Sequence, residues 1–280
     1  MREHSLISNT DIPQLNHGIA LSEDGETLYA STENDVYSWP YSGNASSLAS
    51  DARRTLITNM SNTDHTTRTL LVPRKQPGVV IVSRGSDSNE DADAERLDSG
   101  HSQIRSFNVS SLDSGADPMD FMDGDVLGWG LRNSVGVAEE PNHGGIWSVE
   151  NSVDEMRRNG QDIHRDNPGE ELNFHGFANG SAGYLGDRGV GGNYGYPLCY
   201  AIWGTQNFPD LGDLKTGDQF PGEETSSLTD QSCNGRDYIS PRLTFQAHTA
   251  PLDIKFTKDG SQAFVSFHGS CKNAPLFSQG

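Results

Sequence analysis

The chain has 280 residues, of which 31 are glycine and 13 proline, and a formal net charge of −19. This acidity argues against nucleic acid and against an anionic membrane as partners, because a phosphate-binding surface should be basic. No apolar run approaches the ~20 residues of a membrane-spanning helix. Four Asn-X-Ser sequons indicate an extracellular, secreted protein with N-linked glycans. They begin at Asn44, Asn59, Asn108 and Asn179.

Short β-rich runs recur along the chain beside turns that contain Asp-Gly, Pro-Gly or Asn-His-Gly. The runs cover residues 27–31, 78–83, 145–149 and 262–267. Such turns need a positive φ and are typical of hairpins. The gaps between the runs are irregular, as expected for loops that leave the blades of a propeller on one face. The repeated strand–turn–strand pattern predicts an all-β fold and favours a β-propeller over a β-sandwich.

Polar residues precede several of these strands. His65 follows Asp64 just before a predicted strand and is a candidate general base, because its ordinary pKa lies near neutrality. An exposed loop histidine is the alternative. Arg132 and Asn133 offer a fork of donors and an amide, which suits an anionic or quinone ligand. The alternative there is a structural arginine that pairs with a loop carboxylate.

A candidate metal site follows at residues 166–173. The Asn167-Pro168-Gly169 turn exposes backbone carbonyls, and Glu170 and Glu171 add carboxylate oxygens. Calcium accepts six to eight oxygen ligands, carbonyls included. An ordinary acidic turn is the alternative interpretation.

Further candidates lie downstream. Tyr194 and Tyr196 share one face if the chain is extended there, and so suit the wall of a site for a flat ring; an aromatic packing corner is the alternative. His248 lies at another loop–strand junction. Cys199 and Cys233 flank a long loop-like segment and could form a disulfide, which leaves Cys271 over.

Seven phrases, in order, carry a resemblance to a known family. They are residues 15–21, 64–70, 130–133, 167–173, 193–197, 250–252 and 267–270. With them the sequence resembles the glucose/sorbosone dehydrogenase family of soluble quinoproteins, and most of all the fungal pyranose dehydrogenases that use pyrroloquinoline quinone (PQQ). The resemblance implies a six-bladed propeller with PQQ over the mouth of its channel.

The resemblance also implies roles for the candidates. His65 is implied to take the proton of a sugar hydroxyl while hydride passes to the quinone, with Asp64 orienting it. Calcium is implied as the second cofactor. The electron acceptor implied is a cytochrome (haem) domain or a copper oxygenase. The other residues implied are Arg132, Asn133, Tyr194, Tyr196, His248 and His17 for PQQ, carbonyls around Asn167, Pro168 and Gly169 for Ca²⁺, and Glu170 and Glu171 for a second calcium.

The ends of the chain depart from that pattern. No signal peptide follows Met1, and about one blade is missing in front of Leu15 relative to the family. We therefore expect a partial propeller domain over residues 1–270, truncated at both ends. Residues 271–280 are expected to be an aberrant tail from intron read-through, in which Cys271 is not native. Residues 1–280 expressed alone are expected to oxidise no sugar detectably, because open sheet edges destabilise the ring.

Two other functions fit a propeller. A calcium-dependent lactonase would activate a metal-bound water with carboxylate and amide ligands from several blades. A non-catalytic glycan-binding propeller would leave His65 without a role. Reconstitution with PQQ and calcium separates them, because neither predicts a sugar-dependent change in quinone absorbance.

Overall fold

The computed structural model describes residues 14–44, 48–112, 115–179, 191–223 and 227–269. The first ten strands are β1 (Ile19–Leu21), β2 (Thr27–Ser31), β3 (Val36–Pro40), β4 (Arg54–Thr58), β5 (Leu70–Leu71), β6 (Val79–Arg84), β7 (Gln103–Asn108), β8 (Met119–Asp120), β9 (Asp125–Trp129) and β10 (Ser134–Glu139). The others are β11 (Gly145–Glu150), β12 (Arg157–Arg158), β13 (Gln161–Asp162), β14 (Glu170–Phe177), β15 (Gly192–Asn193), β16 (Cys199–Ala201), β17 (Gln219–Pro221), β18 (Leu243–Phe245), β19 (Pro251–Phe256) and β20 (Ala263–Phe267).

Helical structure is scarce in the described residues. They contain one short α-helix, α1 (Asp230–Cys233), and five single 3-10 turns. The 3-10 turns are Ser50–Ala52, Ala92–Glu95, Leu97–Ser99, Val109–Ser111 and Phe121–Asp123. Within the described part, no helix has the length and apolarity needed to cross a membrane. The all-β prediction is therefore confirmed.

The described strands form six sheets, two of which are small two-stranded sheets, β12-β13 and β16-β17. The other four follow one another along the chain, and each begins with an antiparallel hairpin. The first sheet has the order β1-β2-β3-β4-β8, the second β5-β6-β7-β9 with β15 outside, the third β10-β11-β14-β18, and the fourth β19-β20. Gly25 and Gly260 take positive φ values of 73° and 68° in the turns of the first and fourth hairpins. Both belong to predicted Asp-Gly turns, where only a residue without Cβ enters this region freely.

These four sheets pack on one another in chain order. Their first strands, β1, β5, β10 and β19, line a common cavity of about 1000 Å³. This is how the inner strands of propeller blades surround a channel. The described strands form no closed ring, and four sheets do not confirm the predicted six blades.

Separate hydrophobic clusters hold neighbouring sheets together. Val36 and Ile57 of the first sheet pack with Val80 and Phe107 of the second. The second and third sheets meet through a cluster that holds Leu127 and Ile146. The third and fourth meet through Ala138, Val149 and Ile254. The second and third sheets are therefore apolar on both faces, which explains why β6 is buried along its whole length.

The predicted disulfide is present. Cys199 in β16 and Cys233 in α1 are bonded, with their Cα atoms 5.7 Å apart and a sequence separation of 34. The bond therefore closes the long loop-like segment that the two cysteines flank. Cys271 lies outside the described residues.

Loss of this disulfide is expected to lower the free energy of unfolding. A closed loop of this length restricts the unfolded chain by about 4 kcal/mol. Urea unfolding of the double variant Cys199→Ala/Cys233→Ala should show the loss. Reductant should then destabilise the parent protein and leave the variant unchanged. An equal midpoint for variant and parent would contradict this expectation.

Candidate active site

The loop that carries His65 is anchored by buried polar side chains. Arg68 is fully buried, and its guanidinium donates to the backbone oxygens of His65 and Thr67 at 2.8 Å and also to that of Met60. Burial lowers the pKa of Arg68 to about 9. The amide of Asn62 donates to the backbone oxygen of His65 at 3.3 Å. The position of His65 is therefore fixed by partners around its backbone.

Arg68→Leu is expected to lower the free energy of unfolding by roughly 3 kcal/mol or more, because buried carbonyls lose their donor. The exposed Arg96 is the matched control, since it pairs only with surface carboxylates. Arg96→Leu should change stability by less than about 1 kcal/mol. Denaturant unfolding measures both, and equal effects would show that the buried guanidinium does not hold the loop.

Ser86 sets the protonation of the His65 ring. His65 Nδ1 lies 2.9 Å from Ser86 Oγ and 3.1 Å from the Ser86 backbone oxygen. Ser86 Oγ donates its own proton to the backbone oxygen of Ser88 at 2.7 Å. Both neighbours of Nδ1 are thus acceptors, so Nδ1 carries the proton of the neutral ring. Nε2 is left with its lone pair, and it has no hydrogen-bond partner in the described part of the chain.

The surroundings of His65 keep the imidazole neutral. Burial lowers its pKa from the ordinary 6.5, and the positive charge of Arg132 lowers it further. Asp64 acts in the opposite direction, but its carboxylate is half exposed and lies 3.9 Å from Nδ1. Ser86, rather than Asp64, is therefore the group that orients the ring by a hydrogen bond.

His65, Arg132 and Asn133 are brought together around Gly85. A Cβ on Gly85 would lie 2.7 Å from Asn133 Oδ1 and 2.7 Å from His65 Cβ, so only glycine allows the two side chains this approach. The Ser86 amide donates to the backbone oxygen of Arg132 at 2.8 Å. The loop between β4 and β5, the loop after β6 and the loop between β9 and β10 therefore meet at one place.

Arg132 connects the loop that follows β6 to the loop that follows β11. Its guanidinium donates to the backbone and side-chain oxygens of Asn89, at 2.9 and 2.8 Å, and to the backbone oxygens of Asn151 and Ser152, at 3.2 and 2.8 Å. All four acceptors are neutral, so no carboxylate in the described part of the chain pairs with this guanidinium. The positive charge of Arg132 therefore acts on nearby groups, and His65 is one of them.

Glu170 joins the third and fourth sheets at the same place. Its carboxylate accepts from the Ser152 amide at 2.7 Å and the Ala250 amide at 3.1 Å. Burial raises the pKa of Glu170 to about 7. The Asn151 amide group donates to the backbone oxygen of Pro251 at 2.7 Å, which ties the loops a second time.

The side chains of the predicted metal segment, residues 166–173, do not all lie in one place. Asn167 uses its side chain to bind the 203–204 loop: Oδ1 accepts from the Trp203 amide at 2.9 Å, and Nδ2 donates to the Gly204 oxygen at 2.8 Å. Pro168 and Gly169 are buried beside it. Glu170 and Glu171 are successive residues of β14, so their side chains point to opposite faces. Glu171 therefore faces the interior between the second and third sheets, away from the loops that Glu170 joins.

Tyr194 and Tyr196 are buried in two separate hydrophobic clusters. The Tyr194 ring packs 4.8 Å from that of His175, and its hydroxyl donates to the backbone oxygen of Phe174. The Tyr196 hydroxyl accepts from the Asp91 amide at 2.7 Å. Each ring makes the contacts of a packing residue, and they do not form a common wall.

The two remaining predicted histidines differ in exposure. His248 is buried, with Nδ1 3.0 Å from Asp154 Oδ1 and Nε2 at the backbone oxygen of His164. Both of its ring nitrogens are thus occupied. His17 is exposed and lines the cavity between the inner strands. It is the one predicted site residue in the lining of that cavity.

Several residues of the site were not predicted. They act through contacts between distant parts of the chain, and they are Ser86, Asn89, Asn151 and Ser152, which binds Glu170. The pair Arg132-Asn133 was a usable signal because both residues are polar and precede a strand. A single serine or asparagine in a loop gives no such signal.

Four sheets around a cavity, with a neutral histidine and an unpaired arginine charge where their loops meet, define an all-β protein of the propeller class. The chain belongs to the TrAA12-like family, which matches residues 1–277. The family resemblance that the sequence predicted is thereby confirmed.

Relatives of known identity are similar over almost the whole chain. A PQQ-dependent sugar dehydrogenase of Hypocrea jecorina is 54% identical over 267 residues, which are 95% of this chain and 60% of that protein. A calcium structure of the family AA12 protein of Trichoderma reesei has a TM-score of 0.89 at 53% identity, covering 96% of this chain and 64% of that one. The holo form of the pyranose dehydrogenase PQQ domain of Coprinopsis cinerea has a TM-score of 0.85 at 35% identity, covering 96% and 63%. This chain therefore spans less than two thirds of the length of these relatives.

Proposed function

We propose that the protein is a PQQ-dependent sugar dehydrogenase and that this chain carries its proton-accepting residue. The observation that carries the proposal is His65: Ser86 holds the proton on Nδ1, and Nε2 is left as a free base. The names of the similar proteins support the same activity. Pyranoses are the proposed substrates.

The residues that meet around Gly85 fit PQQ. The cofactor is an anion with several carboxylates and quinone oxygens, and it needs positive charge and hydrogen-bond donors. Arg132 supplies a charge that no carboxylate at its guanidinium neutralises. Asn133 adds an amide next to His65. When bound, PQQ accepts the hydride from the sugar carbon, and the protein supplies position and electrostatics.

His65 moves the proton in this proposal. Nε2 takes the proton of the sugar hydroxyl whose carbon is oxidised, as a general base. Burial and Arg132 lower the pKa of His65, so the base is unprotonated at neutral pH. Ser86 keeps the ring orientation and the tautomer, and is a positioning residue.

Calcium is proposed as the second cofactor, in the role of a Lewis acid that polarises a quinone oxygen. We assign it to the backbone oxygens of Asn167, Pro168 and Gly169. The support is that Glu170, the next residue, lies where the loops meet and binds Ser152 and Ala250. Carbonyl oxygens are suitable calcium ligands.

Six blades are proposed for the whole propeller. Four sheets occupy this chain, which corresponds to about three fifths of a relative with the same fold. The remaining two fifths of the relative has room for two more sheets of equal size.

We further propose secretion, and electron transfer to a cytochrome domain or a copper oxygenase. All four sequon asparagines are exposed, which supports glycosylation at Asn44, Asn59, Asn108 and Asn179. Treatment of the secreted protein with an N-glycosidase should lower its apparent mass. Protein that is found only inside the cell, without glycans, would contradict this localisation.

An oxidation assay tests the proposed activity. The protein produced from its own gene is loaded with PQQ and Ca²⁺ and given pyranoses with an artificial electron acceptor. Turnover that needs both PQQ and a sugar supports the proposal. Hydrolysis of lactones with Ca²⁺ alone, or binding of glycans without oxidation, would assign the site to a lactonase or to a glycan-binding protein instead.

A further inference from the structure

The half-buried side chain of Asn62 lies between the loop of His65 and the loop that follows β6. Its amide nitrogen donates to the backbone oxygen of Gly85 at 2.7 Å, to that of Ser86 at 3.1 Å and to that of His65 at 3.3 Å. An amide has two hydrogens for these three oxygens, so one hydrogen is shared. One side chain therefore fastens the two loops to each other.

Arg84 fixes the orientation of this amide. Arg84 is the last residue of β6 and is 8% exposed, and its guanidinium packs over the Phe121 ring, 5.7 Å from the ring centre. Its Nε donates to Asn62 Oδ1 at 2.9 Å, and its Nη2 donates to the backbone oxygen of Ser61 at 3.1 Å. A guanidinium nitrogen only donates, so the Asn62 atom that faces it is the oxygen. The nitrogen of the amide is thereby turned towards the three backbone oxygens.

The backbone oxygen of Ser86 connects Asn62 to the imidazole. This oxygen lies 3.1 Å from His65 Nδ1, the nitrogen that carries the ring proton, and it accepts from Asn62 as well. A carbonyl oxygen has two lone pairs, so it can accept from both donors. Asn62 thus contacts His65 in two ways, through the backbone oxygen of His65 and through an acceptor of its ring proton.

A plain anchor of the loop is the simpler role for Asn62. Arg68 already donates to the backbone oxygen of His65 at 2.8 Å, so the Asn62 contact at 3.3 Å adds little there. The shorter contacts of Asn62 are those with Gly85 and Ser86. They fix the acceptor of the ring proton rather than the main chain of the His65 loop.

We propose that Arg84 and Asn62, here called the Arg84–Asn62 pair, keep the proton of the neutral His65 ring on Nδ1 and so leave Nε2 as the base. Both are positioning residues, and their role rests on the proposed function, in which Nε2 takes the proton of the sugar hydroxyl. Without Asn62, the Ser86 oxygen loses a donor and the loop after β6 loses its attachment to the His65 loop. The ring can then turn and carry its proton on either nitrogen.

Nuclear magnetic resonance of the imidazole nitrogens tests the pair directly. The protein produced from its own gene is made with isotope-labelled histidine, and the His65 signals are identified by their absence in His65→Gln. We expect the parent to show one neutral tautomer, with the proton on Nδ1, and Asn62→Ala to show both tautomers. In sugar oxidation, Asn62→Ala should lower kcat by about 10-fold and leave KM for the sugar unchanged, because the base is affected and the sugar contacts are not.

Asn62→Asp keeps the test decisive if Asn62→Ala does not fold. Its carboxylate still accepts from Arg84, but it offers no donor to the Ser86 oxygen. We expect both tautomers of His65 in this variant too. Its added negative charge favours the imidazolium, so the spectra are recorded at a pH at which the ring is neutral.

Asn142→Asp is the matched control. Asn142 lies in the turn after β10, at the end of that strand away from Arg132, and its amide donates to the backbone oxygen of Asp259 at 2.7 Å. The variant adds the same charge and should show the parent tautomer of His65. A single tautomer with the proton on Nδ1 in every folded Asn62 variant would overturn the role of the pair. The spectra need neither PQQ nor sugar, so they test the pair whether or not the protein oxidises pyranoses.

Discussion

Replacement of His65 by Gln is expected to lower kcat/KM for sugar oxidation by about 10²- to 10⁴-fold, the usual contribution of a general base. Nε2 of His65 is the one proposed acceptor for the hydroxyl proton, and an amide cannot replace it. PQQ binding and the melting temperature should stay close to those of the parent, because the anchors of this loop are backbone contacts from Arg68 and Asn62. Steady-state kinetics and a quinone titration measure the two effects.

Two further variants help to interpret the effect of His65→Gln. Ser86→Ala removes one of the two acceptors at His65 Nδ1 and leaves the Ser86 backbone oxygen, so a smaller loss, about 10-fold, is expected. His143→Gln is the control, since that histidine is exposed and pairs only with Glu140. If His65→Gln kept more than about a tenth of the parent activity, another residue would have to be the base.

Replacement of Arg132 by Gln is expected to weaken PQQ binding and to move the acid limb of the pH profile of kcat/KM to higher pH. The positive charge of Arg132 lowers the pKa of His65, after burial, so its removal makes the imidazole easier to protonate. Protonation inactivates a base, and activity should therefore fail at a higher pH than in the parent. The four carbonyl and amide acceptors of Arg132 also lose their donor, which costs roughly 3 kcal/mol of stability.

Arg132→Lys separates charge from shape. A lysine keeps the positive charge but cannot reach four acceptors in the planar fork of a guanidinium. We expect the stability loss to remain and the pH profile to stay near that of the parent. A pH profile that is identical in the parent and in Arg132→Gln would contradict the electrostatic role of Arg132.

The sequence predicted local structure well. Residues 27–31 were predicted as a strand and form β2, because β-branched and aromatic residues follow the Asp24-Gly25 turn. The strands predicted at 145–149 and 262–267 end within one residue of β11 and β20. The disulfide between Cys199 and Cys233, which flank a long loop-like segment, was considered possible and is present.

Contacts between distant residues were harder to predict. The segment 153–164 lacks the alternation typical of a strand, yet it contains the hairpin of β12 and β13. Tyr194 and Tyr196 were considered as a wall for a ring, but the chain between them turns and buries the rings in different clusters. Glu150 showed no signal, because its position opposite Ser134 and Glu171 depends on the register of three strands. Local propensity determines strands and turns, whereas the site depends on how separate sheets pack.

A single-turnover measurement tests the central claim, that His65 and Arg132 form the site of a PQQ-dependent sugar dehydrogenase, most directly. The protein produced from its own gene is loaded with PQQ and Ca²⁺, mixed with a pyranose without an electron acceptor, and followed by its absorbance. We predict that the spectrum of the reduced quinone appears, one per protein, and that it appears far more slowly in His65→Gln. A loaded protein whose quinone stays oxidised when sugar is added would contradict the account.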